Sequence, residues 1–247
     1  MRRDRAARAG PELFLYERAF VDCLERIALA QRQFKRALLI GCPDPTWPGR
    51  LRGVAAQVEV ADPRPLFAER DNSEVIIEDQ WEPPKSVYDL VLAIGTLDTA
   101  NDLPLAFHLI RHSMRPEALL IGAVSGGNTL PQLRRAMRAA DAVGGTAAPH
   151  VHPRIEAAAL APLLERADFV RPVVDVDRVA VSYRSLDRLV ADVRAMGATN
   201  VLHARLRFVG KSARAAAVDE FRNNTDGSRT VESFEILHFA AWTAKQE

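Results

Sequence analysis

The sequence predicts an α/β fold in which a mostly parallel, doubly wound sheet is covered by helices on both faces. Short apolar runs alternate with helical patterns over most of the chain, as expected of a parallel sheet. The first run, 37–40, leads into Gly41, where a nucleotide-binding protein has its glycine-rich turn. A second run ends at Asp62, 21 residues beyond Gly41, where such folds hold an acid against ribose hydroxyls.

The composition fits one α/β domain with additions. The chain has 247 residues, and 48% of them are apolar, which is enough for a substantial core. We expect a basic arm and helix over 1–36 and one compact unit over 37–247. The 33 basic residues nearly balance the 32 acidic ones, so the charge indicates neither a nucleic-acid partner nor an acidic tail.

Cysteine content and hydropathy predict a reducing, cytoplasmic setting. Cys23 and Cys42 are too few for a disulfide framework and too far apart for a CxxC site. No run approaches the ~18 apolar residues of a membrane span. No apolar segment of a targeting peptide follows the basic start, 2–8. We interpret that start as a solvated arm or as an arm that closes over an active site.

The elements of the first half follow from their apolar spacing. Three- and four-residue spacing predicts an amphipathic helix from Glu12 with Leu13, Tyr16, Phe20, Leu24 and Ile27 on its buried face. Five short runs predict strands buried on both faces: Ala37–Ile40, Val58–Val60, Glu74–Ile77, Leu90–Ile94 and Leu119–Val124. A helix that ends before Pro116 separates the last two strands.

The second half of the chain predicts further helices, strands and one long loop. Asn128 is expected to cap one helix and Ser185 another. Val143–Pro153 contains two glycines and two prolines and is predicted as a loop on the rim of a binding cleft, together with 2–8. The remaining patterns predict helices over 157–166 and 213–222, strands over 173–176, 179–183 and 231–242, and a turn at 226–227.

Ordered motifs along the chain carry a family resemblance. They are Arg2-Arg3-x-Arg5-Ala6-Ala7, Asn101-Asp102-Leu103-Pro104, Gly126-Gly127-Asn128-Thr129-Leu130-x-x-Leu133-Arg134, Leu160-x-x-Leu163-Leu164-x-Arg166-Ala167, Asp175-Val176-Asp177, Met196-Gly197-Ala198-Thr199-Asn200, Asp226-Gly227-Ser228 and Phe234-Glu235-Ile236. Over nearly its whole length the chain resembles the methyltransferase-fold family that includes the mitochondrial complex I assembly factor with protein-arginine hydroxylase activity and its α-proteobacterial relatives. It resembles the biotin-pathway carrier-protein methyltransferases more distantly.

The resemblance implies a Rossmann-like, seven-stranded class I methyltransferase sheet whose last strand is antiparallel. It implies that S-adenosylmethionine (SAM) lies across the carboxyl ends of the first, second and fourth strands. The implied activity is methyl transfer or arginine hydroxylation on a protein substrate, with a respiratory-complex subunit as the implied partner. The resemblance identifies no catalytic residue in this chain.

Seven residues are candidates for cofactor binding: Gly41, Asp44, Asp62, Glu78, Asp79, Ile94 and Gly95. The resemblance places the turn after the first strand at the methionine part of SAM, Asp62 at the ribose, Glu78 or Asp79 at the adenine amine, and the segment from Ile94 beside the methyl donor. Each also has an ordinary structural interpretation, as a turn glycine, a turn acid, a solvated strand-end acid or a packed strand residue.

The turn after the first strand departs from the family pattern, because prolines and Trp47 stand where further glycines are usual. Proline lacks an N–H to donate, and a tryptophan ring is large enough to occupy a cofactor subsite. The alternative function is therefore a methyltransferase-fold scaffold or assembly factor that has lost SAM binding. We expect a glycine-rich replacement of 43–48 to raise SAM affinity and to leave the fold intact. Leu97-Asp98 and Asp168 also replace the family's aromatic pair and glycine.

Metal and thiol chemistry are not predicted. His150 and His152 form a pair without a carboxylate or thiol at ligand spacing, so they are interpreted as loop histidines. The facial triad of an iron hydroxylase is not evident. Cys42 lacks a neighbouring base in the sequence and is interpreted as a buried small thiol.

Overall fold

The computed structural model describes residues 2–65, 73–145, 147–202, 209–223, 225–226 and 228–245. The strands are β1 Phe34–Ile40, β2 Ala55–Asp62, β3 Ser73–Val75, β4 Tyr88–Ile94, β5 Met114–Ser125, β6 Phe169–Tyr183, β7 Thr225–Asp226 and β8 Arg229–Thr243. The helices are α1 Arg2–Ala9, α2 Phe14–Leu29, α3 Trp47–Leu51, α4 Leu103–Ser113, α5 Pro131–Gly144, α6 Ala157–Arg166, α7 Leu186–Ala195 and α8 Lys211–Asn223.

The strands form one mixed sheet in the order β3-β2-β1-β4-β5-β8-β6, with the two-residue β7 paired to β8. The first five strands pair in parallel, and β8 pairs antiparallel with β5. The predicted fold class is therefore confirmed. None of the helices in these described ranges is long and apolar enough to cross a membrane.

Contacts between Cα atoms divide the chain into two compact units. The first unit comprises 1–12, 126–154 and 178–235, and the second comprises 13–125, 155–177 and 236–247. The predicted division into 1–36 and 37–247 stays a prediction. All seven candidate cofactor residues belong to the second unit.

In the first unit, α5 packs against α8, and the start of α5 is capped by a residue that is distant in sequence. Glu232 on β8 is fully buried and accepts hydrogen bonds from the backbone N–H groups of Gln132 and Leu133. Burial raises the pKa of the Glu232 carboxyl above its ordinary value despite these bonds. The predicted capping role of Asn128 is wrong, because the backbone N–H of Asn128 donates to Glu235 and α5 begins only at Pro131.

The basic start of the chain is helix α1, which packs against α7 in the first unit. Arg3 is 5% exposed and Ala6 is 3% exposed, so the interpretation of this segment as a solvated arm is wrong. Residues 143–144 belong to α5, and the predicted loop begins only after that helix. Whether this loop and α1 lie on the rim of the cofactor cleft stays a prediction.

Other boundaries differ from the prediction for local reasons. β3 is an edge strand, so Val75 on it and Ile77 just beyond it are exposed rather than buried. The strands predicted at 173–176 and 179–183 are parts of the single strand β6. Asp168 has a φ of 61°, which is the left-handed conformation. Glycine adopts this conformation freely, which explains the glycine of the family pattern, and Asp adopts it more readily than most other residues. Gly227, in the predicted turn at 226–227, lies outside the described residues.

The second unit is built around a buried sheet on which α2 packs through Phe20, Cys23 and Ile27. Gly122 marks a point of close approach in this core. A Cβ there would lie 2.2 Å from the carbonyl oxygen of Ala93 and 2.7 Å from Cζ of Phe239. Only glycine allows β5 to lie this close to its neighbours.

We expect Gly122→Ala to lower the free energy of unfolding by about 1–3 kcal/mol, because the added methyl group must displace backbone in a packed core. Denaturant titration followed by circular dichroism measures the change. Gly49→Ala is the control, because Gly49 is an exposed helical residue whose added Cβ would meet no described atom within 4 Å. An equal response of the two variants would contradict the assignment of Gly122.

Candidate functional site

The carboxyl end of β1 is the point from which the sheet is wound in both directions. β1 lies between β2 and β4, and ligands of such sheets bind in the crevice at this end. Gly41 follows β1 with a φ of 83°. A Cβ at Gly41 would lie 2.2 Å from the carbonyl oxygen of Ile94 and 2.7 Å from Cγ2 of Thr96. The close approach of the end of β4 therefore requires a glycine, whether or not a ligand is bound.

Asp62 joins the end of β2 to the turn after β1. Its side chain is fully buried, Oδ2 accepts from the backbone N–H of Cys42 at 3.0 Å, and Oδ1 accepts from that of Arg64 at 3.0 Å. The carboxylate thus satisfies two backbone donors of the chain itself. The predicted ribose contact stays a prediction, and it would require this side chain to be uncovered.

Asp44 organises the turn between β1 and α3. Its Oδ1 accepts from both the backbone N–H and the hydroxyl of Thr46, each at 2.7 Å. Asp44 is half-buried, and its carbonyl accepts from the N–H of Trp47, the first residue of α3. These bonds are those of an ordinary turn acid, and the predicted cofactor contact of Asp44 stays a prediction.

Trp47 is held against α2. Its ring is fully buried and stacks on Phe20, with the two centroids 4.3 Å apart and the planes 3° from parallel. The indole N–H donates to Oε2 of Glu17 at 2.9 Å, and Arg50 donates to the other oxygen of Glu17 at 2.6 Å. The expectation that 43–48 is a surface loop, replaceable without cost to the fold, is therefore wrong at Trp47.

The segment after β4 lies next to the turn that follows β1. Gly95 has a φ of 69°, and a Cβ on it would lie 2.4 Å from Cε1 of Tyr16 on α2. Ile94 is 1% exposed and Thr96 is fully buried. The Thr96 hydroxyl has no hydrogen-bond partner in the described part of the chain. Sequence reasoning placed Tyr16 only on a helix face, because apolar spacing does not show which strand end a helix covers.

Glu78 and Asp79 are 8% and 7% exposed, so the alternative that they are solvated strand-end acids is wrong. Asp79 accepts from the backbone N–H of Asp102 at 2.7 Å, and Asp102 caps α4 by accepting from the N–H of Leu105 at 2.9 Å. Asp102 is therefore the N-cap of α4. The predicted contact of Glu78 or Asp79 with adenine stays a prediction.

The histidine pair in the predicted loop lies in the first unit. His150 contacts Asp141 with 2.8 Å between Nε2 and Oδ1. Partial burial acts to raise the pKa of Asp141, but the hydrogen bonds from His150 and from the backbone of Ala148 outweigh it and hold that pKa below its usual value. The residues that the structure describes contain no group of three or more ligands that could hold a metal ion.

Comparisons with known proteins agree with the strand order. The chain is similar to the YcgJ protein of Bacillus subtilis, with a TM-score of 0.58 and 10% identity over 90% of this chain and 97% of that one. It is also similar to phosphoethanolamine N-methyltransferase 2 of Haemonchus contortus, solved with S-adenosylhomocysteine, with a TM-score of 0.55 and 12% identity over 92% of this chain and 52% of that one. The chain has the class I methyltransferase fold.

Sequence relatives confirm the predicted resemblance. The chain is 29% identical over 230 residues to the rat protein named "Arginine-hydroxylase NDUFAF5, mitochondrial", covering 88% of this chain and 67% of that protein. It is 34% identical over 162 residues to a malonyl-[acyl-carrier protein] O-methyltransferase of Xylella fastidiosa, covering 64% of this chain and 53% of that enzyme. No family model matches the chain.

We expect Asp62→Ala to cost about 1–3 kcal/mol of stability for each buried N–H group that loses its acceptor. Asp44→Ala is the matched control, because Asp44 also accepts two hydrogen bonds but lies in a partly exposed turn, where water can replace it. Thermal unfolding compares the two variants. Equal losses would show that the burial of Asp62 does not matter.

We expect Trp47→Ala to cost about 3–5 kcal/mol, because it removes a large buried ring and leaves a cavity beside Phe20. Pro45 in the same segment is exposed, so the Pro45→Ala variant should have a free energy of unfolding within about 0.5 kcal/mol of the wild type. Urea titration measures both changes. A Trp47→Ala variant as stable as Pro45→Ala would mean that the ring does not support the fold.

Proposed function

We propose that this chain binds SAM in the crevice at the carboxyl ends of β1, β2 and β4 and acts on a protein substrate. The strand order supports this position for SAM, because ligands of doubly wound sheets bind at the point where the strand order reverses. The methyltransferase of Haemonchus contortus with this fold holds S-adenosylhomocysteine. When bound, SAM would supply a sulfonium methyl group that reacts with a nucleophile.

The observation that carries the proposal is the hydroxyl of Thr96. A buried hydroxyl that finds no partner among the described residues costs free energy, and a ligand that accepts from it would recover that cost. The Cγ2 methyl group of Thr96 packs next to Gly41 at the end of β4, so the hydroxyl on the same side chain lies beside the strand ends where the carboxylate, ammonium or ribose of SAM would pass. The backbone of Gly41 and the segment Ile94–Thr96 would hold that group.

The chain's own residues already fix the walls of this crevice. Tyr16 covers Gly95, and the stack of Trp47 on Phe20 anchors the proline-rich turn to α2. A wall that does not move on binding places the reacting groups without a further loss of entropy. The rigid turn thus supports a working alternative to a glycine-rich loop rather than an obstruction of the cofactor site.

The names of the relatives support a protein substrate. One relative is named for arginine hydroxylation and the other for methylation of malonyl-[acyl-carrier protein]. We propose an arginine side chain of a protein as the reacting group, and a respiratory-complex subunit as the partner implied by the family. Mass spectrometry of the modified peptide distinguishes methylation from hydroxylation. The name of the rat relative places that protein in mitochondria, whereas the cysteine content and hydropathy of this chain predict a cytoplasmic setting.

We expect Thr96→Val to weaken S-adenosylhomocysteine binding by about tenfold, the upper range for one hydrogen bond, and to leave the thermal stability unchanged or raised. Valine has the shape of threonine without the hydroxyl. If no ligand bonds to this hydroxyl, its removal should affect stability alone. Calorimetric titration with S-adenosylhomocysteine measures the affinity, and thermal unfolding without ligand measures the stability.

Thr99→Val is the control, because the Thr99 hydroxyl already donates to the carbonyl oxygen of Thr96 and lies in the same segment. It should change the affinity little. A folded wild-type protein that gives no heat with S-adenosylhomocysteine at millimolar concentration would contradict the proposal and favour a non-catalytic scaffold.

A further inference from the structure

A groove of about 750 Å³ lies in the second unit between α2 and β6. Its volume is within the range of small-molecule sites. We call it the acidic groove and define it by Glu17, Asp22, Glu25, Asp175, Asp177 and His238. These five carboxylates outnumber the two guanidinium groups in its lining, those of Arg18 and Arg26. The groove therefore has a negative field suited to a cation.

His238 is a buried side chain whose ring nitrogens contact carboxylates without forming a well-aligned hydrogen bond to the described residues. Its side chain is 1% exposed and lines the groove, with Nδ1 2.9 Å from Oδ2 of Asp22 and Nε2 4.0 Å from Oδ2 of Asp177. Neither nitrogen makes a hydrogen bond of acceptable geometry within the described residues. Burial holds the pKa of His238 below its ordinary value, although the carboxylates of Asp22, Asp177 and Asp175 act to raise it. The neutral ring has one nitrogen that can accept.

Guanidinium groups already occupy carboxylates of the groove. Arg18 donates from Nε and Nη2 to the two oxygens of Asp177, at 2.6 and 3.1 Å. Arg26 donates from Nε to Asp22 at 2.6 Å and from Nη1 to Asp175. The Arg18 side chain is 56% exposed, so water can solvate its guanidinium group when the ion pair with Asp177 opens. Another guanidinium can therefore replace Arg18 at little cost.

The acidic groove lies near the candidate cofactor crevice. His238 on β8 pairs with Ala123 on β5, which pairs with Ile94 on β4. Neighbouring strands are about 4.8 Å apart, so His238 lies about 10 Å across the sheet from Ile94. Glu17 also connects the two places, since it lines the groove and accepts from Trp47.

We propose that the acidic groove docks an arginine side chain of the protein substrate, which displaces Arg18 from Asp177 and approaches His238. The proposal rests on the proposed function for the protein substrate, but it does not require SAM to be bound. A guanidinium is favoured over an ammonium because its planar fork fits a carboxylate with two parallel hydrogen bonds. It can also donate to the acceptor nitrogen of His238.

The test uses the full chain and a fluorescein-labelled Gly-Gly-Arg-Gly-Gly peptide with blocked ends, followed by fluorescence polarisation. Peptides with citrulline or lysine at the centre are the counterparts. We expect the citrulline peptide to bind at least about tenfold more weakly, because it keeps the shape and loses the charge. The lysine peptide should bind with intermediate affinity, since its ammonium cannot form the bidentate pair.

Two variants test the groove itself. Asp177→Asn should weaken binding of the arginine peptide by about tenfold. Arg18→Gln should strengthen it by up to about fivefold, because the competing guanidinium is removed. Asp187→Asn is the matched control, since Asp187 also binds an arginine, Arg214, with both oxygens, and lies outside the groove. It should leave the affinity unchanged.

Thermal unfolding confirms that each variant is folded before its affinity is compared. Equal binding of the arginine and citrulline peptides, or equal effects of Asp177→Asn and Asp187→Asn, would overturn the proposal. A titration with S-adenosylhomocysteine is run in parallel. Peptide binding without cofactor binding would support the groove assignment and contradict the SAM proposal. Cofactor binding without peptide binding would support the SAM proposal and contradict the groove assignment.

Discussion

The contact between the turn after β1 and the end of β4 is the constraint on which the second unit depends. Gly41 lies so close to the carbonyl of Ile94 that no side chain fits between them. This closeness fixes the distance between two strand ends and packs Cγ2 of Thr96 against Gly41. Asp62 then fixes the third strand end by accepting from the backbone N–H of Cys42. The three strand ends are thus held by contacts of the chain with itself.

The proline-rich turn shows how one structural requirement can be met by different chemistry. Glycines in such a turn let the backbone approach a ligand closely, whereas prolines fix the backbone and remove donors. Here the turn leads into α3, and the stack of Trp47 on Phe20 attaches it to α2. The departure from the family pattern therefore has a structural cause that can be named, and it does not place the indole ring in an open loop.

The fold could be predicted because it is expressed in local patterns. Apolar runs and turn residues located all five parallel strands, and the position of Gly41 located the switch point. The site could be predicted only in part. The burial of Asp62, and the lack of a hydrogen-bond partner for the Thr96 hydroxyl among the described residues, depend on residues brought together from several strands. The cap of α5 could not be predicted for the same reason, since about 100 residues separate Glu232 from Leu133 at the start of that helix.

The two cysteines have a practical consequence. Cys23 lies on the buried face of α2 and Cys42 in the turn after β1, and both are fully buried. Burial also raises the pKa of the Cys23 thiol, which suppresses its thiolate form. Alkylating reagents can reach these thiols only when the surrounding structure opens. The rate of alkylation at each position therefore measures how often α2 and the turn separate from the sheet, without any label being added to the protein.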